Sequence, residues 1–454
     1  MGVARQEKRW FAPGRAIPVA AAALFCAVVG LDAVAGTDCW TYTPPPSGKT
    51  QGTLSWTDSS GLENVVNGIK IVSGTDKKLY IYESTNGNNS NARNLDFSVG
   101  IEDDYELVDI QRSAFNGNST VTNFVAPPSL VTLGRYAFNS CSALVHVEFN
   151  DGLETIGEHA FDTCSALSTI DNFLPSSVKF IDKNAFYKCT AITTDCVAAG
   201  VTNIASRAFE FASVPSFDFS AAPLDMIDEL AFYEMPALTN VVLNQTLRSI
   251  GREAFRGCTA LKTVSPLLPT GLRVFGSGNS GVFYGCTALE GDVLWPNSLT
   301  NIANRAFYQS KITTFTARGK DIVRFETHPL FSCTALTNII LSSSIATYGS
   351  ALMDSCKGGS LERHVWFLGP PPAAFPNQFF SNTDRLYVTL HLPWSQQEAW
   401  REYAATASNA TFTFNKATKT LPEHLDDVGT WQSGVTQNVT WWKDRDPHFT
   451  IKVR

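Results

Sequence analysis

Hydrophobic positions recur along the middle of the chain with a period close to 23 residues. Each unit has two aliphatic residues three apart and then an Ala-Phe pair, and most units have a cysteine three positions after the phenylalanine. The phenylalanine slot is filled in order by Phe115, Phe138, Phe161, Phe186, Phe209, Phe232, Phe255, Phe283, Phe307, Leu330 and Met353. Successive slots are 23, 23, 25, 23, 23, 23, 28, 24, 23 and 23 residues apart. A fixed period of this kind predicts stacked structural units.

Two further sets of apolar anchors flank each Ala-Phe pair. Downstream, as in Leu144, Val147 and Phe149, the last two anchors alternate with the period of a strand. Upstream, as in Leu153 and Ile156, the three-residue spacing is that of a helical turn. The pattern predicts one short strand and one turn of helix in each unit. Because so short a unit cannot bury an apolar face alone, neighbouring units must stack around a shared core.

Two complete copies of the unit read LETIGEHAFDTCSALSTI, from Leu153 to Ile170, and LRSIGREAFRGCTALKTV, from Leu247 to Val264. Over residues 95–392 the chain resembles the BspA-type leucine-rich repeat, also called the Treponema pallidum type. The resemblance implies an α/β solenoid, a right-handed superhelix with a parallel concave β-sheet and short helical turns. It also implies about 11 to 12 repeats of 23 to 25 residues with small β-rich flanks, and a non-enzymatic binding or adhesive protein of the cell surface or secreted class.

The N-terminus resembles an export signal. Four basic residues precede an apolar stretch from Ile17 to Leu31, and Ala33, Val34 and Ala35 supply the small residues of a cleavage site. We therefore interpret residues 1–35 as a signal peptide and expect a secreted or cell-surface protein. The alternative is an uncleaved membrane anchor, but Pro18 and Asp32 leave the stretch short of the roughly 20 apolar residues that a spanning helix needs.

Composition and charge narrow the choice of partner. The chain is 44% hydrophobic and 17% charged, which is typical of a folded globular protein. Its formal charge of -7 would become -9 on removal of the signal, which holds four basic and two acidic residues. An acidic chain without a Lys/Arg cluster argues against nucleic acid and against an anionic membrane surface. A protein partner is expected, and a glycan is the alternative.

Seven of the ten cysteines occupy one slot of the repeat, namely Cys141, Cys164, Cys189, Cys258, Cys286, Cys333 and Cys356. Equivalent slots stack in a solenoid, so we expect a ladder of buried free thiols that donate weakly to neighbouring carbonyls. The alternatives are a disulfide between Cys189 and Cys196, or a metal site. No pair of cysteines has the two-residue spacing of zinc ligands, which disfavours a metal. Cys39, near the expected mature N-terminus, could be unpaired or could link to a partner.

The two flanks differ in composition. Residues 36–94 contain strand-like runs in a Gly, Ser, Thr and Asn-rich context, which predicts a β segment and a cap for the first repeat. Residues 393–454 begin with a capping box that predicts a short helix from Ser395 to Tyr403 and continue into a small β segment. Trp431, Trp441 and Trp442 in this flank could stack on a sugar ring, although packing of a small β domain is the more ordinary interpretation.

The sequence offers no catalytic constellation. The seven histidines are dispersed, and neither a metalloprotease motif, a nucleophile elbow nor a phosphate-binding loop is present. The Gly/Ser stretch from Gly276 to Gly281 falls where the period lengthens to 28, so a surface bulge explains it. We expect a protein that is not an enzyme and has no cofactor or metal.

If the protein binds a partner, its ligand should contact the residues that flank the strand anchors on the concave face. The candidate binding residues are Asn123, His146, Glu148, Thr169, Asp171, Ser216, Asp218, Asn240, Thr314, Thr316 and Asn338, with Val125, Val242 and Ile340 as apolar points. No aromatic cluster is evident among them. The leading hypothesis is therefore protein–protein interaction or adhesion through this face. The alternative is a glycan-binding module that uses the C-terminal aromatics, with the solenoid as a spacer.

Overall fold

The structure is a computed structural model that describes most of the chain. The described residues are 39–72, 77–82, 92–276, 281–319, 321–322, 324–349, 352–353, 355–356, 361–371 and 387–393, four single positions between 396 and 402, and the strands at 411–414, 417–420 and 437–442. The proposed signal peptide, residues 1–35, lies outside the described residues. So do Trp431 and all but four positions of the predicted helix at Ser395 to Tyr403, of which Glu398, Ala399 and Glu402 are helical.

An antiparallel meander opens the described chain. It consists of β1 Thr41–Thr43, β2 Gly52–Thr57, β3 Glu63–Ile71 and β4 Lys78–Ile81. The last of these strands pairs in parallel with β6, Glu106–Ile110, which is the first strand of one of the two solenoid sheets.

The solenoid is built from two stacks of short parallel strands, and each repeat contributes one strand to each stack. We call the stack of longer strands the face sheet and the other stack the back sheet. The face sheet contains β5 Asn94–Asp96, β7 Asn123–Val125, β9 His146–Glu148, β11 Thr169–Asp171, β13 Cys196–Val197, β15 Ser216–Asp218, β17 Asn240–Val242, β19 Thr263–Ser265, β21 Glu290–Leu294, β23 Lys311–Ala317, β25 Asn338–Leu341, β27 Glu362–Phe367, β28 Tyr387–Pro393 and β31 Gln437–Trp442.

The back sheet contains β6 Glu106–Ile110, β8 Thr132–Leu133, β10 Thr155–Ile156, β12 Phe180–Ile181, β14 Asn203–Ile204, β16 Met226–Ile227, β18 Ser249–Ile250, β20 Val274–Phe275, β22 Asn301–Ile302, β24 Arg324–Phe325 and β26 Thr347–Tyr348. A separate hairpin pairs β29 Thr411–Phe414 with β30 Ala417–Thr420. Within the described residues, no helix is both long enough and apolar enough to span a bilayer.

The apolar anchors of each repeat meet between the two sheets. In one repeat Val147 comes from the face sheet, Ile156 from the back sheet and Phe161 from the turn that follows, and all three are fully buried. The register keeps equivalent anchors in line, since Val147 lies beside Ile170 and Ile156 lies beside Ile181. The result is one continuous core along the stack, as the repeat pattern predicts.

The predicted short helical turns are wrong. The anchor Ile156 belongs to a two-residue strand, and the Ala-Phe segment that follows is a series of turns. His159 and Thr163, two residues before and two residues after Phe161, both have a left-handed φ of 57°. An α-helix needs uninterrupted right-handed backbone, so these two residues prevent helical propagation.

The Ala-Phe segment instead alternates two kinds of backbone hydrogen bond. Ala160 N–H donates to Gly157 O at 3.1 Å within its own turn, whereas Phe161 N–H donates to Ala185 O of the next repeat at 2.8 Å. Most repeats follow the same scheme, with left-handed residues at the equivalent positions, such as Asn184 and Lys188. Successive repeats are therefore joined by backbone hydrogen bonds along this turn as well as along both sheets.

The phenylalanines of the repeat slot form a stack of rings through the core. From Phe115 to Phe307, each ring lies beside the next with centroids 4.9 to 5.7 Å apart and interplanar angles of 1 to 19°. At the N-terminal end, Trp40 stacks on Phe97 at 4.8 Å and its Nε1–H donates to Asp96 O at 2.7 Å. Trp40 is fully buried and closes this end of the core.

The cysteines form the predicted thiol ladder. Each of the seven repeat cysteines donates its thiol to the carbonyl of the slot residue one repeat earlier, at 2.9 to 3.2 Å. Cys164, for example, donates to Phe138 O at 3.1 Å. All seven are buried and none is in a disulfide, and the same holds for Cys196 on β13, so the disulfide between Cys189 and Cys196 is not formed. Burial raises the pKa of Cys258 to about 12.

Candidate binding face

The positions on either side of each buried strand centre of the face sheet form two columns. Parallel register places equivalent residues side by side within three runs of described strands, β5 to β11, β13 to β19 and β21 to β31. The order of the repeats continues each column from one run to the next. Column 1 is Asn94, Asn123, His146, Thr169, Asp195, Ser216, Asn240, Thr263, Asp292, Thr314, Asn338 and His364. Column 2 is Asp96, Val125, Glu148, Asp171, Val197, Asp218, Val242, Ser265, Leu294, Thr316, Ile340 and Trp366.

All eleven candidate binding residues lie in these two columns. Nine of them are partly or fully exposed: Asn123, His146, Glu148, Thr169, Asp171, Ser216, Asp218, Asn240 and Asn338. The other two are not accessible, because Thr314 and Thr316 are only 6% and 3% exposed. Of the three apolar points, Val125 and Val242 are partly exposed and Ile340 is buried. The accessible candidates therefore lie mainly on β7 to β17.

A hydrogen-bonded network fixes the side chains at the N-terminal end of column 1. Asn123 Nδ2 donates to Asn94 Oδ1 at 2.7 Å, and the ring of His146 bridges Asn123 Oδ1 at 2.5 Å and Asp171 Oδ2 at 2.9 Å. His146 thus connects residues of three repeats, so this part of the face is held in one arrangement.

Five carboxylates of the face have no Lys or Arg partner in the described part of the chain. Away from the face, ion pairs such as Arg207–Glu210 at 2.9 Å and Arg256–Glu253 at 3.0 Å neutralise acidic groups. In the described part of the chain, Asp96, Glu148 and Asp218 have no Lys or Arg within ion-pair distance, and neither do Asp171 and Asp195. The columns from β5 to β15 thus carry five acidic groups with His146 as their only potential cationic neighbour in the two columns.

Sequence reasoning missed the outward residues of β13 and β21. In most repeats the strand centre follows the preceding leucine by three residues, but Cys196 follows Ile192 by four and Val293 follows Leu289 by four. One extra residue changes the face to which each side chain points. It places Asp195 and Val197 outward on β13, where Thr194 Oγ1 accepts the N–H of Ile170 at 3.2 Å.

The same extra residue on β21 brings Asp292 and Leu294 into the columns, with a bulge between Gly291 and Asp292. Leu294 is 64% exposed, which is unusual for a leucine on a folded domain. A scan for the one-residue lengthening would have found both strands.

An aromatic cluster occupies the C-terminal end of column 2. The rings of Trp366 and His391 stack with centroids 3.6 Å apart and an interplanar angle of 7°, and His391 Nε2 lies 3.0 Å from His364 Nδ1. Burial, together with the neighbouring His364, lowers the pKa of His391 to about 4. The sequence shows these histidines 27 residues apart, and only the parallel register of β27 and β28 brings them together.

The structure also bears on the metal-site and glycan-binding hypotheses. In the part of the chain that the structure describes, no group of three or more His, Cys, Asp or Glu could hold a metal ion. Of the aromatics in the glycan hypothesis, Trp431 lies outside the described residues. Trp441 and Trp442 belong to β31, beside Leu392 and Pro393 of β28, where only the backbone is described.

The repeat region matches a known family over more than half of the chain. Six copies of the BspA type leucine rich repeat region match residues 108–224, 225–279 and 277–362. No curated protein matches the sequence.

Several solved structures are similar to parts of the chain. A leucine-rich repeat protein from Bacteroides ovatus is 17% identical, with a TM-score of 0.46, and the match covers 85% of this chain and 99% of that one. The leucine rich repeat protein of T. pallidum is 24% identical, with a TM-score of 0.36 and coverage of 49% and 86%. A leucine rich cell surface protein from Faecalibacterium prausnitzii is 19% identical, with a TM-score of 0.30 and coverage of 66% and 94%.

Proposed function

Because this chain belongs to the BspA-type leucine-rich repeat family, we propose that it is a non-enzymatic, exported protein that binds another protein through columns 1 and 2 of the face sheet. Export is supported by the basic and apolar N-terminal sequence up to Ala35. Adhesion to a cell or to a matrix is the form of binding that we infer for such a surface.

The observation that carries the proposal is the set of acidic side chains left without Lys or Arg partners along the columns. Fixed charges of one sign on a rigid surface produce a field that attracts a complementary partner and speeds its association. Asp96, Glu148, Asp171, Asp195 and Asp218 are arranged in this way: all five lie in the two columns between β5 and β15, and His146 is the only cationic side chain there.

The accessible part of the face is long and rigid. Its columns are accessible without interruption from β5 to β21, and nine strands at about 4.8 Å give a length of roughly 40 Å. A strip of this length and about 10 Å wide offers roughly 400 Å², about half of the 800 Å² that one partner buries in a standard interface. The backbone of the strip belongs to hydrogen-bonded strands, and the network around His146 fixes side chains at one end. Binding therefore requires little reordering of the chain.

Charge reversal on the face tests this proposal. The full chain and a triple variant, Glu148→Lys, Asp171→Lys and Asp218→Lys, are compared for binding to an array of extracellular and matrix proteins by biolayer interferometry. We expect the variant to bind at least tenfold more weakly, mainly through slower association, because these charges act at long range.

A matched control reverses three exposed carboxylates away from the columns, Glu106→Lys, Glu154→Lys and Asp321→Lys. This variant has the same net charge as the first and should retain binding. The proposal fails if both triple variants weaken binding equally, since net charge alone would then explain the effect. It also fails if the partner's affinity is unchanged by the substitutions in the columns.

A further inference from the structure

A cavity of about 520 Å³ lies beside the face sheet where β21 ends. Its apolar lining includes Leu267, Leu268, Leu294 and Trp295, and its polar lining includes Gln245 and Asp292. Asp292 belongs to column 1 and Leu294 to column 2, so the cavity borders the proposed binding face directly.

The cavity lies where two neighbouring corners of the solenoid differ in length. A corner is the segment that runs from the centre of a face-sheet strand to the next core anchor. Eight residues separate the strand centre Val264 from the next core anchor, Leu272, whereas only six separate Val293 from Leu299. The longer corner extends past the shorter one, and space is left between them.

The chain contains a filled version of the same corner. Eight residues also separate Ile170 from Val178, and there Phe173 is buried with its ring 5.4 Å from the ring of Phe186. Leu267 occupies the position equivalent to Phe173 and is only partly buried. A leucine side chain is smaller than a phenylalanine ring, so it fills less of the corner.

Trp295 forms part of the inner wall of the cavity. The residue is 1% exposed, and its ring is held between Phe275 at 5.4 Å and Phe315 at 5.9 Å. This wall is therefore fixed by aromatic packing.

We propose that the cavity is an anchor pocket for a bulky apolar side chain of a partner polypeptide, whose basic residues contact the acidic groups of the columns. The apolar walls favour the side chain, and Asp292 favours a cation next to it. The inference rests on the proposed function because it specifies the partner for the same face.

The geometry sets the spacing of such a partner. Asp292 and Asp218 lie three strands apart along the columns and in different columns, which is about 16 Å at 4.8 Å per strand and 3.3 Å per residue along a strand. An extended peptide covers this distance in about five residues. The partner segment should therefore carry an apolar residue and a basic residue about five positions apart.

Two probes test the pocket in the full chain. The first is N-acetyltryptophanamide, followed through the indole N–H resonance of Trp295, which a Trp295→Phe variant identifies. The second is a fluorescein-labelled Gly-Ser peptide with one tryptophan and an arginine about five residues away on each side, followed by fluorescence anisotropy. We expect the small probe to shift the Trp295 resonance and the peptide to bind more tightly than versions with serine for tryptophan or glutamate for arginine.

The decisive variant is Leu267→Phe, which copies the side chain found at Phe173 and should fill the pocket. It should reduce affinity for both probes at least tenfold, whereas Phe180→Leu, an exposed change on the back sheet, should have no effect. Leu294→Ser, at an exposed site, repeats the test if Leu267→Phe does not fold. Probe affinities that stay within twofold of the wild-type values in the folded variants would overturn the inference.

The result of the pocket test can be distinguished from the result of the charge-reversal test of the proposed function. If the pocket binds the probes but no protein partner responds to charge reversal in the columns, the proposed function fails and the pocket remains. If a partner depends on Glu148, Asp171 and Asp218 but is insensitive to both pocket variants, the pocket inference fails alone.

Discussion

Removal of one ring from the phenylalanine stack should destabilise the solenoid strongly. Phe186 is fully buried, and its ring lies 5.3 Å from Phe161, 5.2 Å from Phe209 and 5.4 Å from Phe173. Truncation of a buried phenylalanine to alanine costs about 3–5 kcal/mol through lost burial and the cavity that remains. Because each ring pair contributes a further 0.5 to 1.5 kcal/mol or so, we expect Phe186→Ala to fall at the upper end of this range.

A second substitution at the same position separates ring contacts from burial. The slot accepts an aliphatic residue elsewhere in the chain, at Leu330 and Met353, both fully buried. Phe186→Leu should therefore keep most of the buried area and lose chiefly the three ring pairs, at a cost of about 2 kcal/mol. The matched control is Phe180→Ala in the same repeat. Its ring is 47% exposed, and its loss should change the free energy of unfolding by no more than about 0.5 kcal/mol.

Hydrogen exchange read repeat by repeat is the suitable assay, because long repeat arrays do not unfold in a single step. We expect amide protection to fall most in the repeats that contain Phe161, Phe186 and Phe209 and to recover with distance along the stack. The reasoning is refuted if Phe186→Ala costs less than about 1 kcal/mol, or if it is no more damaging than Phe180→Ala. Uniform loss of protection along the whole solenoid would refute the nearest-neighbour description.

Three further measurements follow from the structure. Gly200→Ala should destabilise the protein by about 1–3 kcal/mol or more, because a Cβ there would lie 1.9 Å from Ser176 O. Gly117→Ala should cost about 1 kcal/mol, because its φ is 72° but no atom lies within 4 Å of the added Cβ. Equal losses of unfolding free energy in denaturant titrations would contradict this difference. The thiol of Cys258, whose pKa burial raises to about 12, should resist iodoacetamide at pH 8 until the chain unfolds, and mass spectrometric detection of native labelling would contradict its burial. Since burial lowers the pKa of His391 to about 4, its contribution to folding is complete above the ordinary histidine pKa and is lost as the pH falls from about 6.5 towards 4. Intrinsic-rate-corrected hydrogen exchange of β27 and β28 should accelerate in that window, and less so in His391→Gln.

The sequence predicts the stacking but not the second sheet. The positions of Phe161, Cys164 and Val147 within the repeat were sufficient to place the core, the thiol ladder and the face, because equivalent slots must align in any solenoid. The three-residue spacing of Leu153 and Ile156 predicts a helical turn. A bend followed by a two-residue strand produces the same spacing, so the back sheet does not follow from the pattern. That outcome depends on left-handed backbone at residues such as His159, where no glycine signals it.

The binding face was predicted less completely, for two physical reasons. A single extra residue before Cys196 and before Val293 reverses which side chains point outward, so Asp195 and Leu294 were overlooked. The cavity near Trp295 depends on the relative lengths of two corners that are adjacent in space. A mismatch of this kind becomes visible only when the repeats are stacked.

The hydrogen bonds of the Ala-Phe turns have a mechanical consequence. Each repeat is bonded only to its neighbours, for example through Phe161 N–H and Ala185 O, and no described strand pairing ties distant repeats together. If the chain were pulled from its ends, repeats would detach one after another, and 23 freed residues would add about 80 Å of extended chain at each step. Such a protein would lengthen in steps under tension. The repeats that were still folded would keep their part of the binding face intact.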